Sequence, residues 1–189
     1  MKLVAGLGNP GARYRGTRHN VGFEVLDELA SRHGTTFDAA LADALQARWR
    51  TGDGVLLVKP LTYMNLSGEA IAALVRYYRI DTSDVLIVCD DVNLPLGRLR
   101  VRAGGSDGGH NGLKSVALHF GTTDYARLRI GVGRGDARRD LAAHVLAGFD
   151  ADEAAGVREA ITRSADAIDL WTREGVAPVM NTFNRQEST

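Results

Sequence analysis

Histidine, aspartate and asparagine in four short polar runs carry the chemistry this sequence can offer. The runs are Asn9-Pro10-Gly11, Thr17-Arg18-His19-Asn20, Tyr63-Met64-Asn65 and Gly108-Gly109-His110-Asn111-Gly112. Their turn-forming residues predict loops, where catalytic groups concentrate on rigid scaffolds. A fifth run, Asp90-Asp91, follows the apolar stretch Val85–Cys89, so its carboxylates are expected at the end of a buried strand. Imidazole changes charge near neutrality, which makes His19 a candidate general base if something fixes its tautomer. Asp90 can do that. A carboxylate that accepts one ring N–H leaves the other ring nitrogen to take a proton from water. No serine or cysteine stands in a G-x-S-x-G elbow, so water is the expected attacker. The side-chain amides of Asn9, Asn65 and Asn111 can donate to a carbonyl or hold that water without a charge. Singly, each run also reads as a cap or a turn; several together point to a site.

These groups need elements to position them. The chain has 189 residues, 44% of them hydrophobic, with four prolines, enough for one ample core and one domain. Leu3 to Gly6 reads as a buried first strand, and Val21, Phe23, Val25, Leu26, Leu29 and Ala30 form a helical stripe starting near Asn20. Leu45–Trp49 and Val55–Lys59 flank Thr51-Gly52-Asp53-Gly54, a hairpin signal. Ser67-Gly68-Glu69 opens a second helix. Val85–Cys89, Leu99–Val101 and Leu128–Val132 read as further strands, with a helix from Leu113 to about His119 between the last two. Residues 152–174 form an amphipathic C-terminal helix. The expected fold is α/β, a single domain over residues 1–189 with a twisted mixed β-sheet flanked by helices. Residues 134–149 are a candidate lid, and 185–189 a flexible tail.

Composition narrows the function. Acidic and basic residues balance at 23 each, which excludes a uniformly basic nucleic-acid binder. The balance hides two opposed halves: Arg98–Arg139 holds nine basic and three acidic residues, +6, and Asp140 onward holds nine acidic and four basic, −5. A local positive patch fits a limited phosphate contact. The single cysteine, Cys89, lies in an apolar run and reads as a small core residue of a protein in a reducing compartment. No signal peptide or membrane span is read, so a cytoplasmic, non-membrane protein is expected.

Two glycine motifs fail as nucleotide sites. Gly6-Leu7-Gly8-Asn9-Pro10-Gly11 matches G-x-G-x-x-G, but Tyr14-Arg15-Gly16-Thr17 delays the helix, and the acids expected downstream, Asp27 and Glu28, fall inside it. The loop Gly104–Gly109 lacks the G-K-[ST] ending of a phosphate cradle. A His/Asp cluster can also bind metal, yet no H-E-x-x-H or similar spacing occurs, so neither metal nor cofactor is expected.

Longer motifs carry a resemblance. Gly8-Asn9-Pro10-Gly11 through Tyr14, then Thr17-Arg18-His19-Asn20-Val21-Gly22-Phe23, resembles the opening signature of bacterial peptidyl-tRNA hydrolases. Lys59–Gly68 and Gly105–Ser115 resemble the family's other two signatures, and Asp90–Gly97 its acidic turn. The likeness runs in order from about Leu3 to Phe183. It implies an ester hydrolase that releases peptides from the terminal ribose of prematurely dropped peptidyl-tRNA, recycling the tRNA without a metal. By the same resemblance His19 is the base and Asp90 its orienting partner. Asn9 and Asn65 contact the peptidyl moiety and reacting carbonyl, Asn111 positions the water, Tyr14 and Met64 line the site, and His110 is a cleft histidine. The partner implied is peptidyl-tRNA, held by its acceptor stem and 3′ CCA end, with no obligate protein partner; a monomer is the default.

Arg98, Arg100 and Arg102 alternate, as do Arg127 and Arg129, so each set shares a strand face. Such faces are commonly solvated. The resemblance assigns a tRNA phosphate to Arg102 and Arg129. Many family members carry Lys at the position of Arg102; Arg brings a planar fork instead of a point charge. Asp107 also departs from the family's small or neutral residue, and is expected either to weaken phosphate contacts or to cap the Leu113 helix. The remaining alternative is an RNA-binding module on the same fold without catalysis.

Overall fold

The centre of the sheet forms because its strand segments are apolar on both faces. In the computed structural model, which describes residues 1–135 and 140–185, β1 (Lys2–Gly6) sends Leu3 and Ala5 into one core and Val4 into the other. β5 (Val85–Asp91) is buried at every position. Strands covered on both sides read as continuous apolar runs, and the helices on each face supply that cover.

The other strands are β2 (Asp38–Ala39), β3 (Ala44–Trp49), β4 (Val55–Pro60), β6 (Leu99–Arg102) and β7 (Ala126–Gly131). Their order is β2-β3-β4-β1-β5-β7-β6. β4, β1, β5 and β7 run parallel in the centre, and β2, β3 and β6 pair antiparallel at the edges. This is the expected mixed sheet. The hairpin forms with Trp49 opposite Val55.

On one face lie α1 (Val21–Arg32), α5 (Ala154–Glu174) and α6 (Val176–Phe183); on the other lie α2 (Ser67–Tyr77) and α3 (Asn111–Phe120). A short helix, α4 (Leu141–Val145), lies in the expected lid segment, of which residues 136–139 fall outside the described residues, as do 186–189 of the expected tail. Two 3-10 turns, Ala12–Tyr14 and Arg18–Asn20, separate β1 from α1, the delay that removes the dinucleotide reading. No helix among the described residues is long and apolar enough to cross a membrane.

Some boundaries differ from the sequence reading. α3 begins at Asn111, not Leu113, and β7 begins at Ala126. α6 was not anticipated. Its Pro178 sits in the first helical turn, where a missing N–H costs no helical hydrogen bond.

Candidate active site

The parallel strands end on one side of the sheet, and the polar runs follow those ends. Such crevices beyond the carboxyl ends of strands are the usual ligand sites of open α/β sheets. Asn9 follows β1, Met64 and Asn65 follow β4, and Asp90 is the penultimate residue of β5. His19 reaches Asp90 because α1 packs very closely: a Cβ on Gly22 would stand 2.6 Å from the Val88 carbonyl oxygen and 2.8 Å from the Leu7 nitrogen.

Asp90, 2% exposed, uses one oxygen for two histidines. Its Oδ1 lies 2.8 Å from His19 Nδ1 and 2.9 Å from His110 Nε2. His110 Nδ1 accepts the backbone N–H groups of Gly112 and Leu113, at 3.1 and 3.3 Å, so the ring's proton sits on Nε2 and is donated to Asp90. His19 Nδ1 likewise donates to Asp90. That leaves His19 Nε2 unprotonated, with its lone pair available. The two rings stand 5.0 Å apart between centroids.

Burial by itself would push the Asp90 carboxyl up. The charge His110 carries when protonated, its N–H, and the N–H of His19 outweigh burial and hold Asp90 well below the usual carboxylate range. The carboxylate therefore stays ionised at neutral pH. Cys89, its neighbour, is fully buried and its thiol is pushed up by burial, as befits an inert core residue.

His110 also caps α3, the role considered for Asp107. Asp107 instead accepts the Gly109 N–H at 2.8 Å and closes its own turn. Gly108 and Gly109 both have positive φ, which turns the chain so that His110 can face its own helix.

Asn9 belongs to a second hydrogen-bonded unit. Its Oδ1 accepts the Met64 N–H at 2.8 Å, while Asn20 clamps its backbone from both sides, accepting its N–H and donating to its carbonyl, each at 2.9 Å. The Asn9 Nδ2 group is thereby left to donate. Gly112 joins the two units: a Cβ there would lie 2.7 Å from Met64 Sδ and 3.0 Å from the His110 ring. Asn20 belongs to the Thr17–Asn20 run, but its clamp on Asn9 was not read from type or spacing, since its partner lies eleven residues back in another turn.

His19, Asp90, His110, Asn111 and Arg129 line one cleft of about 320 Å³, and Leu141, Ala142 and Val145 of α4 form part of its wall. Asp91 of the Asp90-Asp91 run lines it too, as do Asn93 of the acidic turn and Arg134 at the start of the expected lid, none of which the sequence assigned a role in the site. Asn65 is exposed and Tyr14 half-buried, and neither borders this cleft.

The basic face divides unexpectedly. Arg102 is exposed at the end of β6, opposite Arg127. Arg127 is not a solvated strand residue: it is 1% exposed and donates to the carbonyls of Ser106 and Thr123 at 3.2 and 2.7 Å. Arg129 donates to the same Ser106 carbonyl at 2.5 Å and lies 3.7 Å from Asp91. Both arginines thus brace the glycine loop.

His19, Asp90 and His110 offer three ligand atoms within 4.8 Å of one another, close enough for a metal ion. The hydrogen bonds already employ those atoms, and a protonated His110 Nε2 has no lone pair to give. The geometry fits a proton-handling cluster.

A model of the family described as "Peptidyl-tRNA hydrolase" matches residues 3–189. Curated peptidyl-tRNA hydrolases of Halalkalibacterium halodurans and Chloroflexus aurantiacus are 44% and 46% identical to the chain, over 97% of it and 100% and 99% of their own lengths. The crystal structure of peptidyl-tRNA hydrolase from Acinetobacter baumannii superposes with a TM-score of 0.91 at 33% identity, covering 97% of this chain and 94% of that one. A site of this geometry, on this fold and within these matches, settles the family: the chain belongs to the peptidyl-tRNA hydrolases, enzymes that hydrolyse ester bonds.

Proposed function

We propose that the chain hydrolyses the ester between a peptide and the 3′-terminal ribose of tRNA, with His19 as general base and Asp90 as its orienting partner. The observation that carries this reading is Asp90 Oδ1 accepting from both histidines, which leaves His19 Nε2 free for a proton. His19 Nε2 takes a proton from water as the water oxygen attacks the ester carbonyl carbon. The resulting oxyanion collapses, the ribose oxygen leaves, and the imidazolium returns the proton to it. Asp90 stabilises the imidazolium in between.

Asn9 Nδ2 and the exposed amide of Asn65 donate to the peptidyl carbonyls, and Asn111 at the cleft edge holds the water. Tyr14 and Met64 shape the approach of the peptide. His110 donates to the same Asp90 oxygen as His19 and helps hold it. Arg102 and Arg129 take a phosphate of the acceptor stem, and the cleft takes the 3′ CCA end. The enzyme acts as a cytoplasmic monomer with no obligate protein partner, and every proton transfer is made by its own side chains.

The test is cleavage of N-acetyl-aminoacyl-tRNA beside free aminoacyl-tRNA. Release of the acyl group from the blocked substrate alone is the expected result. Binding of tRNA without release overturns the proposal in favour of a non-catalytic RNA-binding module.

A further inference from the structure

Arg18 stands beside His19 in sequence, but its side chain bonds to Val132 and Glu153. It is 5% exposed, and its guanidinium reaches both roots of the excursion that builds the α4 wall of the cleft. At the first root, Nη1 donates to the Val132 carbonyl at 3.0 Å. At the second, Nη1 and Nη2 grip both oxygens of Glu153 at 3.0 and 2.7 Å, and the guanidinium carbon lies 4.8 Å over the Phe149 ring. Main chain joins the same seam: the Arg18 N–H donates to the Ala147 carbonyl, and Thr17 bridges Gly148. Glu153 in turn accepts the Asp150 N–H at 2.9 Å, closing the turn before α5. Within the excursion, buried His144 of α4 lies 2.8 Å from the Gly133 carbonyl.

We infer that the Arg18–Glu153 pair is the positioning clamp for this wall, holding Leu141, Ala142 and Val145 at the distance from His19 that the acyl-tRNA end requires. A fork with several fixed donors can tie two roots at once, whereas a lysine ammonium is a point charge on a flexible stem. Arg18 is buried beside the Phe149 ring while Glu153 keeps some exposure, so solvent screens the pair only in part. The hydrogen bonds from Arg18 also hold the Glu153 carboxyl below its ordinary range. The turn that carries the base thus sets the wall that confines the substrate.

The inference rests on the proposed hydrolysis for its kinetic readout and not for its structural one. The experiment compares wild type, Glu153→Gln and Arg18→Lys by steady-state kinetics on N-acetyl-aminoacyl-tRNA and by amide hydrogen exchange. The expected result in both variants is a KM raised on the order of tenfold, a common size for coupling between sites. The kcat and its pH profile stay in place, and exchange across Leu141–Val145 speeds up. Unchanged exchange in both folded variants overturns the clamp. A loss confined to kcat with a displaced pH profile overturns it too, since Arg18 would then act on His19. If wild type does not cleave the substrate, the proposed function fails while the exchange result still decides the clamp.

Discussion

Asp90→Asn isolates charge from shape. The side chain is nearly isosteric, and its carbonyl oxygen can occupy the place of Oδ1, where it accepts from His19 and His110 at 2.8 and 2.9 Å. What disappears is the negative charge beside the imidazolium that the proposed mechanism forms as His19 takes its proton. With charge centres ~4 Å apart and an effective dielectric of about 20, that interaction amounts to roughly 4 kcal/mol. On the barrier this is about a thousandfold in kcat. An asparagine that turns its amide toward His19 Nδ1 would force the wrong tautomer and deepen the loss. Asp90 is 2% exposed and reaches the reaction through His19, so KM is expected to stay within a few-fold of wild type. Single-turnover hydrolysis of N-acetyl-aminoacyl-tRNA, with tRNA binding measured in parallel, separates the two parameters. A variant within tenfold of the wild-type rate, or one impaired only in binding, would refute the argument.

Three further outcomes follow from the same geometry. His110→Ala removes the acceptor for two N–H groups of α3 and one donor to Asp90. It should cost about 1 kcal/mol of stability and roughly tenfold in kcat, one charge-assisted hydrogen bond; His110→Asn, which can still cap, should recover the melting temperature but not the rate. Arg129→Ala should raise KM and lower the slope of log KM against log salt by about one, the signature of one lost phosphate contact. An unchanged slope would remove Arg129 from the phosphate site. The third concerns acid. A carboxyl depressed in the folded state contributes stability that is complete above its unfolded value and lost as pH falls toward its folded one. The stability gap between wild type and Asp90→Asn should therefore shrink as pH falls below about 4, by up to ~1.4 kcal/mol per pH unit, as urea unfolding would show. A gap that keeps its size down to about pH 3 would contradict the assignment.

Much of the scaffold was legible because its signals are local. The Thr51–Gly54 turn announces its hairpin, and the stripe from Val21 to Ala30 announces α1. The pairing of His19 with Asp90 was legible from residue types and from the strand that delivers the carboxylate. The rest depended on tertiary contacts. By type Asp107 is the better cap, and the positive-φ glycines that follow it place His110 at the helix start instead. Arg127 shares a face with Arg129 as its spacing demands, but its burial follows from the glycine loop that folds over it. The Asn20 clamp on Asn9 and the two-ended grip of Arg18 join residues whose proximity no periodicity encodes.

The most direct test of the central claim is the kcat for N-acetyl-aminoacyl-tRNA of wild type and His19→Ala, each with and without a strong chelator. The account predicts wild-type turnover indifferent to chelator and a His19→Ala rate lower by at least about two orders of magnitude, the contribution of a general base. Turnover abolished by chelator would instead assign the His19, Asp90 and His110 cluster to a metal, and an active His19→Ala enzyme would remove His19 from the chemistry.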